Sequence, residues 1–278
     1  MGRADGTRVR DEVPMYYLIP HFLTKRYDAM NMVTVDIPVE PLKKYMNEKR
    51  KEGEHISHVA LIICAYLKAA KEFPALNRFI VNKRIYQHND FTVSMVVLRP
   101  GNDNDTMSKI YFDFDDSIFD VQRKLDEYIT ENRKDNNANE LDSWMNKLVK
   151  MNGLLRVGVN ILRWADRHNL LPKSVIKASP FHASLLISNL ASIRTNHIYH
   201  HVYDFGTTSV GITMGNMREV PRRHMGEIVF DRCIPLGVVM DERICSGHYF
   251  AQAFAYIKEL LSDPVLMEPA DEPLIEPV

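Results

Sequence analysis

Between Asp241 and His248 the chain reads DERICSGH, which sets a carboxylate (Glu242), a thiol (Cys245), a hydroxyl (Ser246) and an imidazole (His248) within seven residues. Each could take part in proton or group transfer, and each needs its own surroundings. A nucleophilic cysteine requires a lowered pKa and a base beside it. An ordinary carboxylate near 4.3 lies some four units below a thiol near 8.5, so Glu242 is a poor activator and Cys245 reads as a buried, inert thiol. The same gap makes proton transfer from any thiol to Glu242 uphill, unless burial raises the carboxyl to about 6–7. A salt bridge to the adjacent Arg243 would instead hold it ionised. His248 follows Gly247 at the expected start of a helix, where the positive dipole end keeps an imidazole neutral, as a base requires. Its alternative is a surface or interface histidine.

A second cluster, NHIYHHVYDFG, holds His197, His200 and His201. Adjacent residues in a strand point to opposite faces, so His200 and His201 are poorly placed to chelate one ion. A turn or a subunit contact is the favoured role, and no metal site is expected.

These groups need a scaffold. The chain has 278 residues, 45% of them apolar, which is enough for a substantial core. A formal charge of −1 offers no electrostatic case for nucleic acid. The three cysteines, Cys64, Cys233 and Cys245, are odd in number and lack C-x-x-C spacing, which argues against a disulfide framework and a cysteine-rich zinc site and points to the cytoplasm. The start, MGRADGTRVRDEVP, lacks the apolar stretch of a secretory signal. Gly6 stands where a myristoylation motif has Ser or Thr. No apolar run reaches the roughly 18 residues of a spanning helix.

Alternation and β-branched content predict a strand over Asn31–Val39, followed by a short polar helix ending at Gly53. Ile56–Asn77 is the clearest helix, with Ser57 as N-cap, Pro74 at its end and apolar residues round most of its surface. Two strands around a turn near Asn89-Asp90 come next, then the strand SKIYFDFDD and an amphipathic helix that opens on Asp residues. Residues 139–178 predict a helical hairpin hinged near Gly153. In its second half Arg156, Asn160, Arg163 and Arg167 form a narrow polar stripe on an otherwise apolar helix. Such a helix packs on the body of its own or a neighbouring subunit, or lies on a membrane through residues 154–165. ASLLISNLASI, TTSVGITMG and GEIVFDRCIPLGVVMDE read as strands. SGHYFAQAFAYIKELLSDP is the last helix, and 265–278 is a mobile acidic tail. Interleaved helices and strands favour one α/β domain over 1–278, built on a mixed sheet with flanking helices.

Three stretches carry a resemblance. EFPALN is similar to a helix followed by Pro-x-Leu-Asn, LLISNLASI to a strand Ile-Ser-Asn-Leu-Gly with Ala191 for the glycine, and DERICSG to Asp-His-Arg-x-x-Asp-Gly. In this order they resemble the catalytic domain of the dihydrolipoyl acyltransferases of 2-oxoacid dehydrogenase complexes, whose fold is shared with chloramphenicol acetyltransferase. The likeness runs from about Met30 to Pro264, with 139–178 as an insertion.

The resemblance implies a chloramphenicol-acetyltransferase-like fold and a homotrimer with its active channel between subunits. It implies a histidine that deprotonates the thiol of coenzyme A or dihydrolipoamide, and a serine that donates to the tetrahedral oxyanion, a task worth on the order of 3 kcal/mol. By position Ser188 is that serine, Glu242 stands at the histidine and Ser246 at the Asp/Asn four residues on, with Ser188 and Glu242 expected to face one cleft. Coenzyme A or an acyl-CoA is the implied ligand. With no lipoyl domain ahead of the core, no covalently attached lipoyl group is expected. Two readings of activity stay open. One is a divergent member without histidine-based transfer, which binds a thioester or serves as a scaffold. The other is an active acyltransferase using Glu242, His248 or a base from a neighbouring subunit.

Overall fold

The computed structural model describes residues 3–10, 12–98, 105–132 and 155–269. In chain order these form β1 (Gly6–Arg8), α1 (Pro14–Phe22), β2 (Met30–Pro38), α2 (Val39–Lys51), α3 (His58–Glu72), β3 (Arg78–Val81), β4 (Arg84–His88), β5 (Phe91–Leu98), β6 (Asp105–Phe112) and α4 (Ile118–Asn132). Then come α5 (Leu155–Arg167), α6 (Lys173–Ala178), β7 (Leu185–Asn189), β8 (Val210–Met214), β9 (Arg218–His224), β10 (Glu227–Asp241) and α7 (Gly247–Ser262).

A seven-stranded mixed sheet runs β2-β10-β8-β7-β5-β6, with β9 paired to the first half of β10. β7 lies parallel to β5 and β8, and the other pairs are antiparallel. One face of it, with Val93, Met95, Leu185, Ile187, Val210, Ile212, Leu236 and Val238, packs on α2, α3, α4 and α7. At the centre is α3. Ser57 Oγ accepts the Ala60 amide at 3.2 Å and starts it, and Pro74 follows its end. Ala60 through Leu67 are all buried, so this helix is enclosed on every side. Truncating Leu67 to Ala there costs about 2–5 kcal/mol.

Irregular chain crosses the other face. The Ile198 amide donates to Thr213 Oγ1 at 3.1 Å, and the Ile198 carbonyl lies against Gly237 so closely that a Cβ at 237 would clash with it. A glycine is therefore needed in mid-strand, where it otherwise weakens pairing.

Several elements depart from the expectations. The stretch read as two strands around Asn89-Asp90 holds three. Asn82 and Lys83 both have positive φ (47° and 61°) and make the β3–β4 hairpin turn, a geometry usually signalled by Asn-Gly. β4 joins a separate sheet, β1-β4-β3, while β5 enters the large one. β9, sequence REVPRRH, is exposed along almost its whole length, so it shows no apolar alternation. The polar N-terminus is stitched down. Arg3 pairs with Asp5 and Asp166, both at 2.7 Å, and His182 Nε2 also reaches Asp166 at 3.2 Å. Burial would raise the Asp166 carboxyl, but His182 and Arg3 outweigh it and hold it at about 2.

Of the expected helical hairpin, the part before Leu155 lies outside the described residues. α5 meets the body along one edge, where Asp166 is buried and Gly158, Leu162 and Ala165 are half-buried. Val157, Ile161 and Trp164 remain 51%, 59% and 56% exposed, so this chain leaves much of the helix's apolar surface uncovered. The expected tail is anchored at its start. Met267 is fully buried and Glu268 pairs with Lys49 at 2.9 Å, so 265–268 are part of the fold. Residues beyond 269 lie outside the described ones.

Candidate functional site

β10 ends at Asp241 and α7 begins at Gly247, and the intervening turn is rigid for a visible reason. The buried Asp241 carboxylate accepts the Arg243 amide at 3.1 Å, its Nε at 2.8 Å and its Nη2 at 2.7 Å. Arg26, also buried, lies 3.5 Å away on the same carboxylate. A carboxylate buried this deeply requires such paired donors.

Glu242 sits on the clamped turn. Its amide donates to the Ala29 carbonyl at 2.9 Å, and its half-buried side chain accepts the Asn31 Nδ2 group at 2.9 Å. Of the two settings considered for Glu242, a salt bridge to Arg243 is not formed, since Arg243 is engaged with Asp241. Ser246 is the N-cap of α7, its Oγ accepting the Tyr249 amide at 3.1 Å. His248 lies exposed in the first turn of α7, and among the described residues its ring makes no hydrogen bond. Cys245 is buried, and burial pushes its thiol far above the ordinary range, in line with an inert core thiol.

Ser188 lies half-buried near the end of β7. It pairs with Thr213 on β8, which pairs with Gly237 on β10. Side-chain alternation puts it on the face crossed by the irregular chain, opposite the core-facing Ile187. Five residues of β10 and two strand spacings separate this register from Glu242, roughly 15–20 Å. Within one chain, therefore, Ser188 and Glu242 do not share the expected cleft. The sheet register holds them apart.

His200 and His201 lie in irregular chain, not in a strand, and their rings stack with centroids 5.0 Å apart. The expected opposite-face geometry does not apply to them. Among the described residues no three His, Cys, Asp or Glu side chains gather as a metal would require.

Sequence reasoning missed Arg26 and Asn31. Asn31 lies 211 residues before its partner Glu242, and no local spacing could announce that contact. Asp28 and Arg26 stand in a short 3-10 turn whose composition resembles any surface loop.

The architecture has solved counterparts. A probable dihydrolipoamide acetyltransferase from Listeria monocytogenes aligns over 95% of this chain and 98% of its own at TM-score 0.58 and 15% identity. The cubic core of a pyruvate dehydrogenase multienzyme complex aligns over 93% and 94% at TM-score 0.59 and 14% identity. Chloramphenicol acetyltransferase aligns over 92% of this chain and 99% of its own at TM-score 0.54 and 12% identity. The chain has the chloramphenicol acetyltransferase fold. No protein-family model and no curated protein matches its sequence. Asp241 and Arg243 hold the turn by their own hydrogen bonds. Ser246 caps α7, a role that Asp, Asn and Ser fill about equally well.

Proposed function

We propose that this chain is a divergent acyltransferase-fold protein that lacks histidine-based acyl transfer and retains a site for a thioester or coenzyme-A-type ligand, or a scaffold role, as a homotrimer. The observation that carries this reading is Glu242, a carboxylate held by the Asn31 amide at the position where the resemblance places a histidine. A carboxylate is a weaker base than an imidazole toward a thiol proton. Ser188 keeps a hydroxyl that could donate to a bound carbonyl, and it meets Glu242 only if a second copy brings its own turn to β7. Self-association is supported by the edge strand β2, with Met32 and Val33 exposed, and by the hairpin residues Ile228 and Phe230.

The test is coenzyme A release from acetyl-CoA with varied acceptors, beside calorimetric binding of coenzyme A. Binding without turnover is the expected result. Turnover abolished by Glu242→Gln but not by His248→Ala would establish the opposite, an active enzyme with a carboxylate base. Loss with His248→Ala alone would assign the base to that imidazole. A light-scattering mass near one chain would remove the trimer.

A second reading is favoured by α5. Exposed Val157, Ile161 and Trp164 run beside the exposed Arg156, Arg163 and Arg167, the pairing of apolar and basic faces that suits an anionic membrane surface. Co-sedimentation with phosphatidylserine vesicles is expected to fall in Leu155→Glu and Trp164→Glu, and unchanged binding in both would dismiss this role.

A further inference from the structure

Away from Glu242, a cavity of about 290 Å³ opens where β4, β5, β6 and α6 meet the N-terminal residues. We propose that it binds a small hydroxy-monocarboxylic acid, with Lys109 as the anchor for the carboxylate and Lys173 and Lys177 at its rim. This does not rest on the acyl-transfer reading.

Lys109 is the central group. An ammonium has three N–H donors, and Lys109 gives two of them to the carbonyls of Ile176 (2.6 Å) and His182 (2.9 Å). Among the described residues no carboxylate lies within ion-pair distance of it, and its third donor has no partner. Burial pulls its pKa down to about 8, which marks a charge short of stabilisation. An anion in the cavity would supply it.

The lining selects the kind of anion. Three ammonium groups face Asp5 and Asp90, and Asp5 is already bound to Arg3 at 2.7 Å. Asp90 stays to oppose a dianion such as phosphate and to accept from a neutral hydroxyl. Burial lowers His88 to about 4, so it is uncharged at neutral pH. Its Nε2 faces the Thr207 carbonyl at 3.3 Å and must donate there, which leaves Nδ1 as an acceptor. Thr92 Oγ1 accepts the Ser184 amide at 3.3 Å and keeps its own proton for a ligand. The volume sits at the small end of the range for organic ligands.

The test uses lactate, propionate and inorganic phosphate with the full chain, followed by calorimetry. Lactate is expected to bind saturably at pH 7. Affinity should fall at least tenfold in Lys109→Met, fall several-fold in the Lys173→Ser/Lys177→Ser pair, and persist in Lys109→Arg. It should also weaken at pH 9, where Lys109 has lost its proton. His88 is already neutral over that span, and burial pushes the facing Tyr111 upward, out of it. The rim pair is exposed, so it reports even if Lys109→Met fails to fold. No saturable lactate binding, or equal affinity in the wild type and the rim pair, would overturn the site. Propionate binding as tightly as lactate would remove the hydroxyl acceptor, and tighter phosphate would overturn the carboxylate assignment.

Discussion

Arg243 folds back on Asp241, two residues before it, and places Nη2 2.7 Å from the buried carboxylate while Nε takes the other oxygen at 2.8 Å. With Arg26 3.5 Å from the same carboxylate, the pair fixes the turn that presents Glu242. Breaking a buried pair leaves an uncompensated charge and costs about 3–5 kcal/mol, whereas changing a half-exposed side chain costs little. Asp241→Asn should therefore lower the urea midpoint strongly. Glu242→Gln, which keeps an acceptor for Asn31, should lower the unfolding free energy by less than about 1 kcal/mol. Comparable losses in both would mean that the clamp is not what holds the turn.

Ser246 caps α7 through the Tyr249 amide. Ser246→Ala is expected to cost about 1 kcal/mol and Ser246→Asp almost nothing. Chemical denaturation of the three proteins checks this, and an Asp variant as weak as the Ala variant would count against a capping role.

His88 links stability to pH. Burial depresses its folded pKa to about 4 from 6.5, so the unfolded chain takes up its proton first. The stability this group confers is whole above about pH 6.5 and is lost as pH falls toward 4, at most about 3 kcal/mol at 1.36 kcal/mol per pKa unit. Asp166, held at about 2, adds its own loss only below about pH 4. Unfolding free energy followed from pH 7 to 4.5 should drop less in His88→Gln, whose amide can still donate to Thr207. An identical slope in both proteins would place the titration elsewhere.

Gly237 meets the Ile198 carbonyl across the sheet. Gly237→Ala should cost about 1–3 kcal/mol through overpacking and loosen the 194–206 segment. Faster amide exchange at Ile198, whose N–H bonds Thr213, is the diagnostic, and unchanged protection there would argue that the crossing chain shifts without strain.

Much of this molecule was readable in one dimension. α3 declared itself through Ser57, Pro74 and an unbroken apolar surface, and the stretches read as a strand over GEIVFDRCIPLGVVMDE and a last helix from SGHYF are β10 and α7. The ordered motifs EFPALN, LLISNLASI and DERICSG were enough for the fold, because their residues serve local structure: a helix stop, a buried strand, a clamped turn. Elements without a periodic signature were missed. β9 is exposed and polar, and the β3–β4 turn is made by Asn82 and Lys83 without a glycine.

The one-dimensional chain settled which functional groups stand at the decisive positions: a carboxylate at 242 and hydroxyls at 188 and 246. Their partners were set by folding. It gave Arg243 to Asp241 and Asn31 to Glu242, set Ser188 far along the sheet from Glu242, and left Lys109 with a donor to spare. The physical reason is range. Helix periodicity, strand alternation and capping act between residues a few positions apart. Hydrogen bonds and burial act across space, between segments as distant as the 211 positions that separate Asn31 from Glu242.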